Sequence, residues 1–274
     1  MSPAPPIVST DWLAAHKDAV KLVDATWFMP GQGDARAAYL AGHIPSAVHF
    51  DIDEIADKDS VLPHMLPSPA AFGAAVGALG IGNEDHVVAY GLAGPRVWWM
   101  FRAMGHDKVS VLDGGLAKWK AEGRVVETGE WAPHPQRFTA ELRPELVRDF
   151  EAVRAELAAG RPLIDARPAD RFQGEAPEPR PGLKSGHAPG ALNLPSTTLF
   201  NADGSFRSDA ETEAMIEAAG IDLSQAATAS CGSGVTACMI ALALARLGRW
   251  DTAVYDGSWT EWGARADAPV TTGT

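Results

Sequence analysis

An internal repeat limits what this 274-residue chain can fold into more than any other feature of its sequence. Three segments of the first half recur in the second half, each displaced by about half the chain length. The matched pairs are Lys21-Leu-Val-Asp-Ala with Pro162-Leu-Ile-Asp-Ala, Gly42-His-Ile-Pro-Ser-Ala with Gly186-His-Ala-Pro-Gly-Ala, and Val109-Ser-Val-Leu-Asp-Gly-Gly with Thr252-Ala-Val-Tyr-Asp-Gly-Ser. Self-similarity at one nearly constant offset indicates a duplicated structural unit. We therefore expect two tandem copies of one domain.

Within each copy, short β-rich runs alternate with stretches of helical pattern. Examples of the helical pattern are residues 69–80 in the first copy and 211–220 in the second. This alternation predicts an α/β fold in which a mainly parallel sheet is flanked by helices. We expect the domains at 1–135 and 147–274, with a linker at 136–146 beside a polar, proline-containing segment that lacks periodicity.

The two copies differ at one loop. In the second copy, residues 226–230 predict a buried strand, and Cys231-Gly-Ser-Gly-Val-Thr-Ala then leads into an apolar helical run that closes at Gly248. Loop N–H groups and the helix N-terminus converge there, which stabilises an anion such as a thiolate or a persulfide. The matching loop of the first copy, Gly91–Pro95, is shorter and has no cysteine. We expect Cys231 to be a catalytic nucleophile and the first copy to be structural.

Charge, composition and residue spacing argue against several kinds of partner and against a metal cofactor. The net charge of -12 argues against nucleic acid and against anionic membrane surfaces. Residues 1–10 lack the pattern of a secretory signal, and the longest apolar run is too short to span a bilayer. The two cysteines, Cys231 and Cys238, predict no disulfide framework, which fits a reducing cytoplasm. The histidines show no spacing typical of a metal site, so we expect no metal, and we expect no cofactor. We expect a cytoplasmic protein, with a monomer as the default oligomeric state.

The tandem halves, the two Gly-His-x-Pro-x-Ala segments, the Asp-Gly turns and the cysteine loop together resemble the rhodanese superfamily from about Val8 to Trp262. Thiosulfate-type members generally carry charged residues, often Arg-Lys, where this chain has Gly232-Ser233, so the loop resembles the mercaptopyruvate branch. The resemblance implies a sulfurtransferase that moves sulfur from 3-mercaptopyruvate to Cys231, releasing pyruvate. The persulfide would then pass its sulfur to a thiol acceptor, such as thioredoxin or a small thiol.

The same resemblance implies which residues hold the substrate. Arg171 and Arg180 match the substrate-binding arginines of the family, and an arginine fork suits the carboxylate of mercaptopyruvate. Arg167 is expected instead to pair with a nearby acid. The residues expected to cradle the persulfide through backbone N–H groups, with two hydroxyls as further donors, are Gly232, Ser233, Gly234, Val235 and Thr236.

Two residues of the first copy match an Asp and a His that are thought to act in proton transfer in some members of the family. They are Asp34 and His43, which would act there together with Cys231 and Ser233. A structural role for His43 is an equally open interpretation, because both copies keep this histidine although only one has the cysteine.

Other functions fit parts of the same loop. Gly232–Ala237 satisfies the dinucleotide fingerprint G-x-G-x-x-A, but too few residues follow it to complete a dinucleotide-binding domain. A cysteine phosphatase needs an arginine six positions after its cysteine, where this chain has Ala237. Two alternatives stay open: a thiosulfate:cyanide sulfurtransferase, and a persulfide carrier that uses no small-molecule donor.

Overall fold

The computed structural model describes residues 3–29 and 31–273, which form two compact units. The first unit consists of the residues up to Lys58, Leu66–Arg143 and Asn201–Phe206. The second consists of Asp59–Met65, Pro144–Phe200 and the residues from Arg207 onward. Each unit therefore includes one short segment from the other half of the sequence. The domain limits expected from the sequence, 1–135 and 147–274, stay a prediction.

The first unit contains a five-stranded parallel sheet flanked by helices. Its strands are β1 (Ile7–Val8), β2 (Val20–Asp24), β3 (Val48–His49), β4 (His86–Tyr90) and β5 (Val109–Leu112), and their order across the sheet is β1-β5-β4-β2-β3. Its helices are α1 (Thr10–His16), α2 (Ala35–Ala41), α3 (Pro69–Ala78), α4 (Gly94–Ala103) and α5 (Gly115–Ala121). A 3₁₀ turn, Lys17–Ala19, leads into β2.

The second unit repeats this arrangement. Its strands are β6 (Val147–Arg148), β7 (Leu163–Asp165), β8 (Leu192–Asn193), β9 (Thr228–Ser230) and β10 (Ala253–Tyr255), in the order β6-β10-β9-β7-β8. Its helices are α6 (Phe150–Ala158), α7 (Ala169–Gln173), α8 (Asp209–Ala218), α9 (Ala237–Arg246) and α10 (Ser258–Trp262), with 3₁₀ turns at Pro144–Leu146 and Ser196–Leu199. Strand for strand, the order equals that of the first unit. The predicted α/β fold of two tandem domains with mainly parallel sheets is confirmed.

The helical patterns seen in the sequence begin at serine caps. Ser68 accepts a hydrogen bond from the N–H of Ala71 at the start of α3. Ser208 and Glu211 form a capping box at the start of α8, in which each side chain satisfies a backbone N–H of the first turn. Such caps supply acceptors to N–H groups that have no partner inside the helix.

The segment expected to be a linker packs on α3 in its first part. A Cβ added at Gly77 would lie 2.5 Å from the carbonyl oxygen of Gln136, and one added at Gly73 would lie 2.7 Å from that of Phe138. Phe138 itself is buried. The two glycines thus allow the backbone at 136–138 to lie directly against the helix, because any larger residue would displace it.

The core of the second unit fixes the position of the cysteine loop, which lies between β9 and α9. Every residue of α9 from Ala237 to Ala245 is buried, and this helix packs on β9 and β10. The predicted buried helix after Thr236 is therefore confirmed, and Gly248 follows its end with a φ of 84°. Because β9 lies in the middle of the sheet, the loop that follows its carboxyl end lies where parallel sheets of this kind have their functional loops.

Candidate active site

Cys231 directly follows β9, and both its backbone N–H and its carbonyl are hydrogen-bonded to the start of α10. Its backbone N–H donates to the Oγ of Ser258 at 3.1 Å, and its carbonyl accepts from the N–H of Trp259 at 2.9 Å. The carbonyl of Gly232 accepts from both the N–H of Thr260, at 2.8 Å, and its hydroxyl, at 2.6 Å. The loop is therefore anchored through its first two residues, and the Cys231 residue is only 2% exposed.

The rest of the loop offers hydrogen-bond donors. Within residues 3–29 and 31–273, the N–H groups of Gly232, Ser233, Val235 and Thr236 donate to no protein acceptor. Gly234 has a φ of 78°, which reverses the chain before α9 begins. The hydroxyl of Thr236 does not cap this helix. Donors without partners beside a helix N-terminus suit an anion, which is the property that the sequence predicts for this loop.

Arg171 is brought to this loop from α7. Its Nη2 atom lies so near Gly232 that a Cβ added there would be 3.3 Å away. The guanidinium binds the carboxylate of Glu178, with Nη2 at 2.5 Å from Oε2 and Nε at 3.3 Å from Oε1. The Arg171 side chain keeps 20% of its surface exposed. The structure therefore places a partly accessible guanidinium beside the residue that follows the candidate nucleophile.

Arg180 lies two residues after Glu178, so its Cα is within about 7 Å of that of Glu178 along the chain. It is partly buried, and its Nη2 lies 3.4 Å from the Nε2 of His64. A guanidinium has donors only, so the imidazole nitrogen is the acceptor in this contact. His64 belongs to Asp59–Met65, the segment of the first half that is part of the second unit.

Arg167 has a structural environment. Its side chain is 1% exposed and pairs with Asp165, at 2.6 Å, and with Glu178, at 2.8 Å. Its guanidinium also lies 4.1 Å from the ring centroid of Trp259. Burial opposes the charge, but the two carboxylates outweigh it and raise the pKa of Arg167 above its usual value. The predicted pairing of Arg167 with a nearby acid is confirmed.

Asp34 and His43 lie in the first unit, where each has a contact that serves the fold. Asp34 caps α2 by accepting an N–H of its first turn at 2.9 Å. His43 is 1% exposed, its Nδ1 lies 3.0 Å from the carbonyl of Tyr39, and the two rings stack. His187 repeats this contact in the second unit, with its Nδ1 2.8 Å from the carbonyl of Phe172 and the rings stacked. These contacts favour the structural interpretation of His43, and the catalytic roles of both residues stay predictions.

Ser258 ends one of the repeated segments, where the first repeat has Gly115, and the sequence predicts no role for it. Its φ is 49°, in the left-handed region, where the first unit has Gly115 with a φ of 54°. A residue with a side chain costs about 1 kcal/mol in this conformation, whereas glycine adopts it freely. The buried Oγ of Ser258 accepts the N–H of Cys231 and donates to the carbonyl of Tyr255 at 2.7 Å. The serine in the second repeat, where the first repeat has glycine, was the sequence feature that could have singled out Ser258.

Replacing Ser258 by alanine is expected to lower the free energy of unfolding by about 1–2 kcal/mol, because the buried N–H of Cys231 loses its acceptor. The loosened loop is also expected to lower kcat/KM for the reaction at Cys231 by about tenfold or more. Urea unfolding and steady-state kinetics measure the two effects. The variant Ser258→Gly relieves the backbone strain but lacks the same hydroxyl, so it should regain stability and not activity. Wild-type kinetics in Ser258→Ala would contradict the anchoring role.

The described residues contain no group of His, Cys, Asp and Glu side chains that could hold a metal ion. Among the same residues, we find no helix with both the length and the apolar character needed to cross a bilayer. Cys231 and Cys238 are not joined by a disulfide, and the Sγ of Cys238 donates to the carbonyl of Gly234 at 3.2 Å. Cys238 is fully buried in α9, which agrees with a packing role.

Both halves of the chain match the rhodanese-like domain, over residues 9–122 and 149–265. The chain belongs to the rhodanese family. The family resemblance seen in the cysteine loop and in the repeated segments is thereby confirmed. The duplicated sheet order and the position of Cys231 at the carboxyl end of a central strand are the structural counterpart of this membership.

Two curated members of the rhodanese family are equally similar to this chain. The 3-mercaptopyruvate sulfurtransferase of Escherichia coli is 44% identical over 272 residues, covering 96% of each chain. The thiosulfate sulfurtransferase of Bos taurus is also 44% identical, over 274 residues that cover 95% of this chain and 92% of that one. Overall identity therefore does not distinguish a mercaptopyruvate enzyme from a thiosulfate enzyme. The distinction has to come from the residues of the loop.

A solved structure of the family agrees with the fold. The crystal structure of SseA from Escherichia coli, a 3-mercaptopyruvate sulfotransferase, has a TM-score of 0.85 with this chain at 39% identity. The match covers 93% of this chain and 99% of that chain. The similarity therefore extends over both tandem domains.

Proposed function

We propose that this chain is a sulfurtransferase that takes sulfur from 3-mercaptopyruvate onto Cys231 and passes it to a thiol acceptor. The observation that carries the proposal is the loop itself. Cys231 lies beside four N–H groups that have no acceptor in the described part of the chain, and the guanidinium of Arg171 lies next to Gly232. Nucleophile, anion cradle and carboxylate-binding cation thus come from adjacent residues.

The chemistry balances with these groups alone. The Cys231 thiolate attacks the sulfur of mercaptopyruvate, an S–S bond forms, and the C–S bond breaks with its electron pair passing to carbon. The proton of the substrate thiol ends on that carbon, which gives pyruvate and leaves the persulfide as an anion. An acceptor thiolate then attacks the outer sulfur and restores the Cys231 thiolate. The loop N–H groups would stabilise both sulfur anions, since they have no acceptor in the described part of the chain.

The choice of donor is supported by Gly232 and Ser233. Neither residue brings a charged side chain to the loop, and the guanidinium of Arg171 lies beside Gly232. A carboxylate matches a planar guanidinium in a two-point hydrogen bond, which is the interaction that Arg171 and Arg180 would supply. The hydroxyl of Ser233, together with Asp34 and His43, is proposed to assist the proton transfer.

The decisive experiment compares kcat/KM for 3-mercaptopyruvate and for thiosulfate in the same preparation, with a reducing thiol and with cyanide as acceptors. We expect mercaptopyruvate to be preferred by at least about 100-fold, because only it has a carboxylate for the arginine fork. A preference for thiosulfate would retain Cys231 as nucleophile but overturn the arginine roles. Absence of turnover with either donor would support a persulfide carrier that receives sulfur from a partner protein.

The remaining assignments follow from the same chemistry. Thioredoxin or a small thiol would serve as acceptor, since a thiolate of either can attack the outer sulfur and take it as a persulfide. A second thiol can then attack that persulfide, which forms a disulfide and releases sulfide. The thiols of Cys231 and Cys238 suit a reducing compartment, and we infer a cytoplasmic monomer.

A further inference from the structure

A chain of alternating charges leads from β7 to the cysteine loop. The Glu178 side chain is only 2% exposed, and its Oε1 accepts from Arg167 at 2.8 Å while its Oε2 accepts from Arg171 at 2.5 Å. Arg167 in turn binds Asp165 at the end of β7. Arg171, at the other end of this chain, lies beside Gly232. Glu178 therefore links the guanidinium at the loop to the buried Arg167 and Asp165.

The first repeat shows that the fold does not need this ion chain. There Asp24 accepts the N–H of Thr26 at 2.8 Å, as Asp165 accepts the N–H of Arg167 at 2.9 Å. The backbone turn after the strand is thus common to both repeats. Thr26 has no charge, so the first repeat cannot begin an equivalent chain. The ion chain belongs to the repeat that has the cysteine, which separates it from the requirements of the fold.

The contact between Glu178 and Arg171 determines which N–H groups of the guanidinium stay available to another partner. A guanidinium has five N–H groups in one plane. Glu178 takes the edge formed by Nε and Nη2, and this leaves the two N–H groups of Nη1 and one of Nη2 for another partner. Of these three donors, the N–H of Nη2 and the neighbouring N–H of Nη1 form the end edge of the guanidinium, which a carboxylate binds in a two-point hydrogen bond.

We propose that Glu178 is a positioning residue, which clamps the Nε edge of Arg171 so that its other edge receives the carboxylate of the sulfur donor beside Cys231. This inference rests on the proposed function, because it gives Arg171 a substrate carboxylate. Without the clamp, the long side chain of Arg171 has to lose its rotamer freedom when the substrate binds, which weakens binding.

The test compares Glu178→Gln with Glu156→Gln. Glu156 is a matched control because its carboxylate also binds an arginine, Arg148, at 2.7 Å, and lies at the opposite end of β9, where it accepts the hydroxyl of Thr228 at 2.7 Å. Glu178→Gln should raise KM for mercaptopyruvate by about tenfold or more and change kcat by less than about threefold. Glu156→Gln should leave both constants near the wild-type values. A KM unchanged in Glu178→Gln, or raised equally in both variants, would overturn the proposal.

A double-mutant cycle separates positioning from general stability. In an Arg171→Ala background, Glu178→Gln should change KM by less than about twofold, because the group that it positions is already absent. Additive effects of the two substitutions would contradict the proposal. Near-UV circular dichroism checks that each variant is folded, and Glu178→Asp, which keeps the charge but shortens its reach, should give an intermediate KM.

Alkylation of Cys231 supplies a readout that needs no sulfur donor. Iodoacetate carries a carboxylate and iodoacetamide does not, so the ratio of their rates at Cys231, followed by peptide mass spectrometry, reports carboxylate binding at the loop. The ratio should fall by about fivefold or more in Glu178→Gln and in Arg171→Ala, but not in Glu156→Gln. If the wild type does not turn over mercaptopyruvate, the proposed function fails, and this ratio still decides the role of Glu178.

Discussion

Replacing Cys231 by serine is expected to reduce sulfur transfer to below about one-thousandth of the wild-type rate. A serine hydroxyl is neutral near pH 7, and an oxygen in this position cannot carry the transferred sulfur as a persulfide. The loop should stay intact, because its anchors to Ser258, Trp259 and Thr260 use backbone atoms of residues 231 and 232. Pyruvate release measures the reaction, and intact-mass spectrometry after exposure to donor alone detects the added sulfur atom.

The matched control is Cys238→Ser, which should keep most of the activity. The Sγ of Cys238 donates to the carbonyl of Gly234 inside the buried face of α9, and a hydroxyl can make the same contact. Mass spectrometry should therefore find the persulfide on Cys231 in this variant as well. Equal loss of activity in the two serine variants would contradict a single nucleophile and point to a relay between the two thiols.

Arg171→Ala is expected to lower kcat/KM for mercaptopyruvate by about 100-fold. A charge-assisted two-point hydrogen bond to a carboxylate contributes about 2–3 kcal/mol when it is lost by truncation, and about 1.4 kcal/mol corresponds to a factor of ten. Most of the loss should lie in KM, because the guanidinium binds a part of the substrate that does not react. Steady-state kinetics over a range of donor concentrations separate the two constants.

Arg161→Ala controls for the removal of a positive charge in the same unit. Arg161 precedes β7 and therefore lies at the opposite end of this strand from Asp165. It is 3.7 Å from Glu156, and 56% of its side chain is exposed. Its removal should leave kcat/KM near the wild-type value. Arg171→Lys is the informative intermediate, since lysine keeps the charge but not the planar fork, and should recover only part of the loss. Full activity in Arg171→Ala would overturn its role in binding the substrate.

Local patterns in the sequence were sufficient to predict much of the fold and to single out the candidate nucleophile. The repeat predicts two equal domains, and β1-β5-β4-β2-β3 and β6-β10-β9-β7-β8 are the same order in two copies. Cys231 could be found because a strand, a glycine-rich turn and a buried helix follow one another along the chain, so its loop is recognisable from near neighbours in sequence. Arg171 was assigned from the family resemblance, and the structure brings it next to Gly232.

Contacts between distant parts of the chain could not be predicted in this way. The excursion of Asp59–Met65 into the second unit places His64 beside Arg180, although 116 positions separate them. His43 matches a proposed catalytic residue in sequence, yet the structure gives it the same buried, stacked position as His187. A pattern shows which residue types are present, but not which of their polar atoms are already occupied by neighbours.

The sequence by itself determined the duplicated α/β architecture and the family, and it predicted Cys231 as the nucleophile, because these depend on periodicity, turn residues, motifs and spacing along the chain. Only the tertiary structure decided how the backbone of Cys231 is held and which carboxylate pairs with Arg171. Ser258 reaches the N–H of Cys231 across 27 positions, and Glu178 joins Arg167 to Arg171 in a buried ion chain. Hydrogen bonds and ion pairs form only within about 3 Å, a distance that folding sets and that sequence spacing does not.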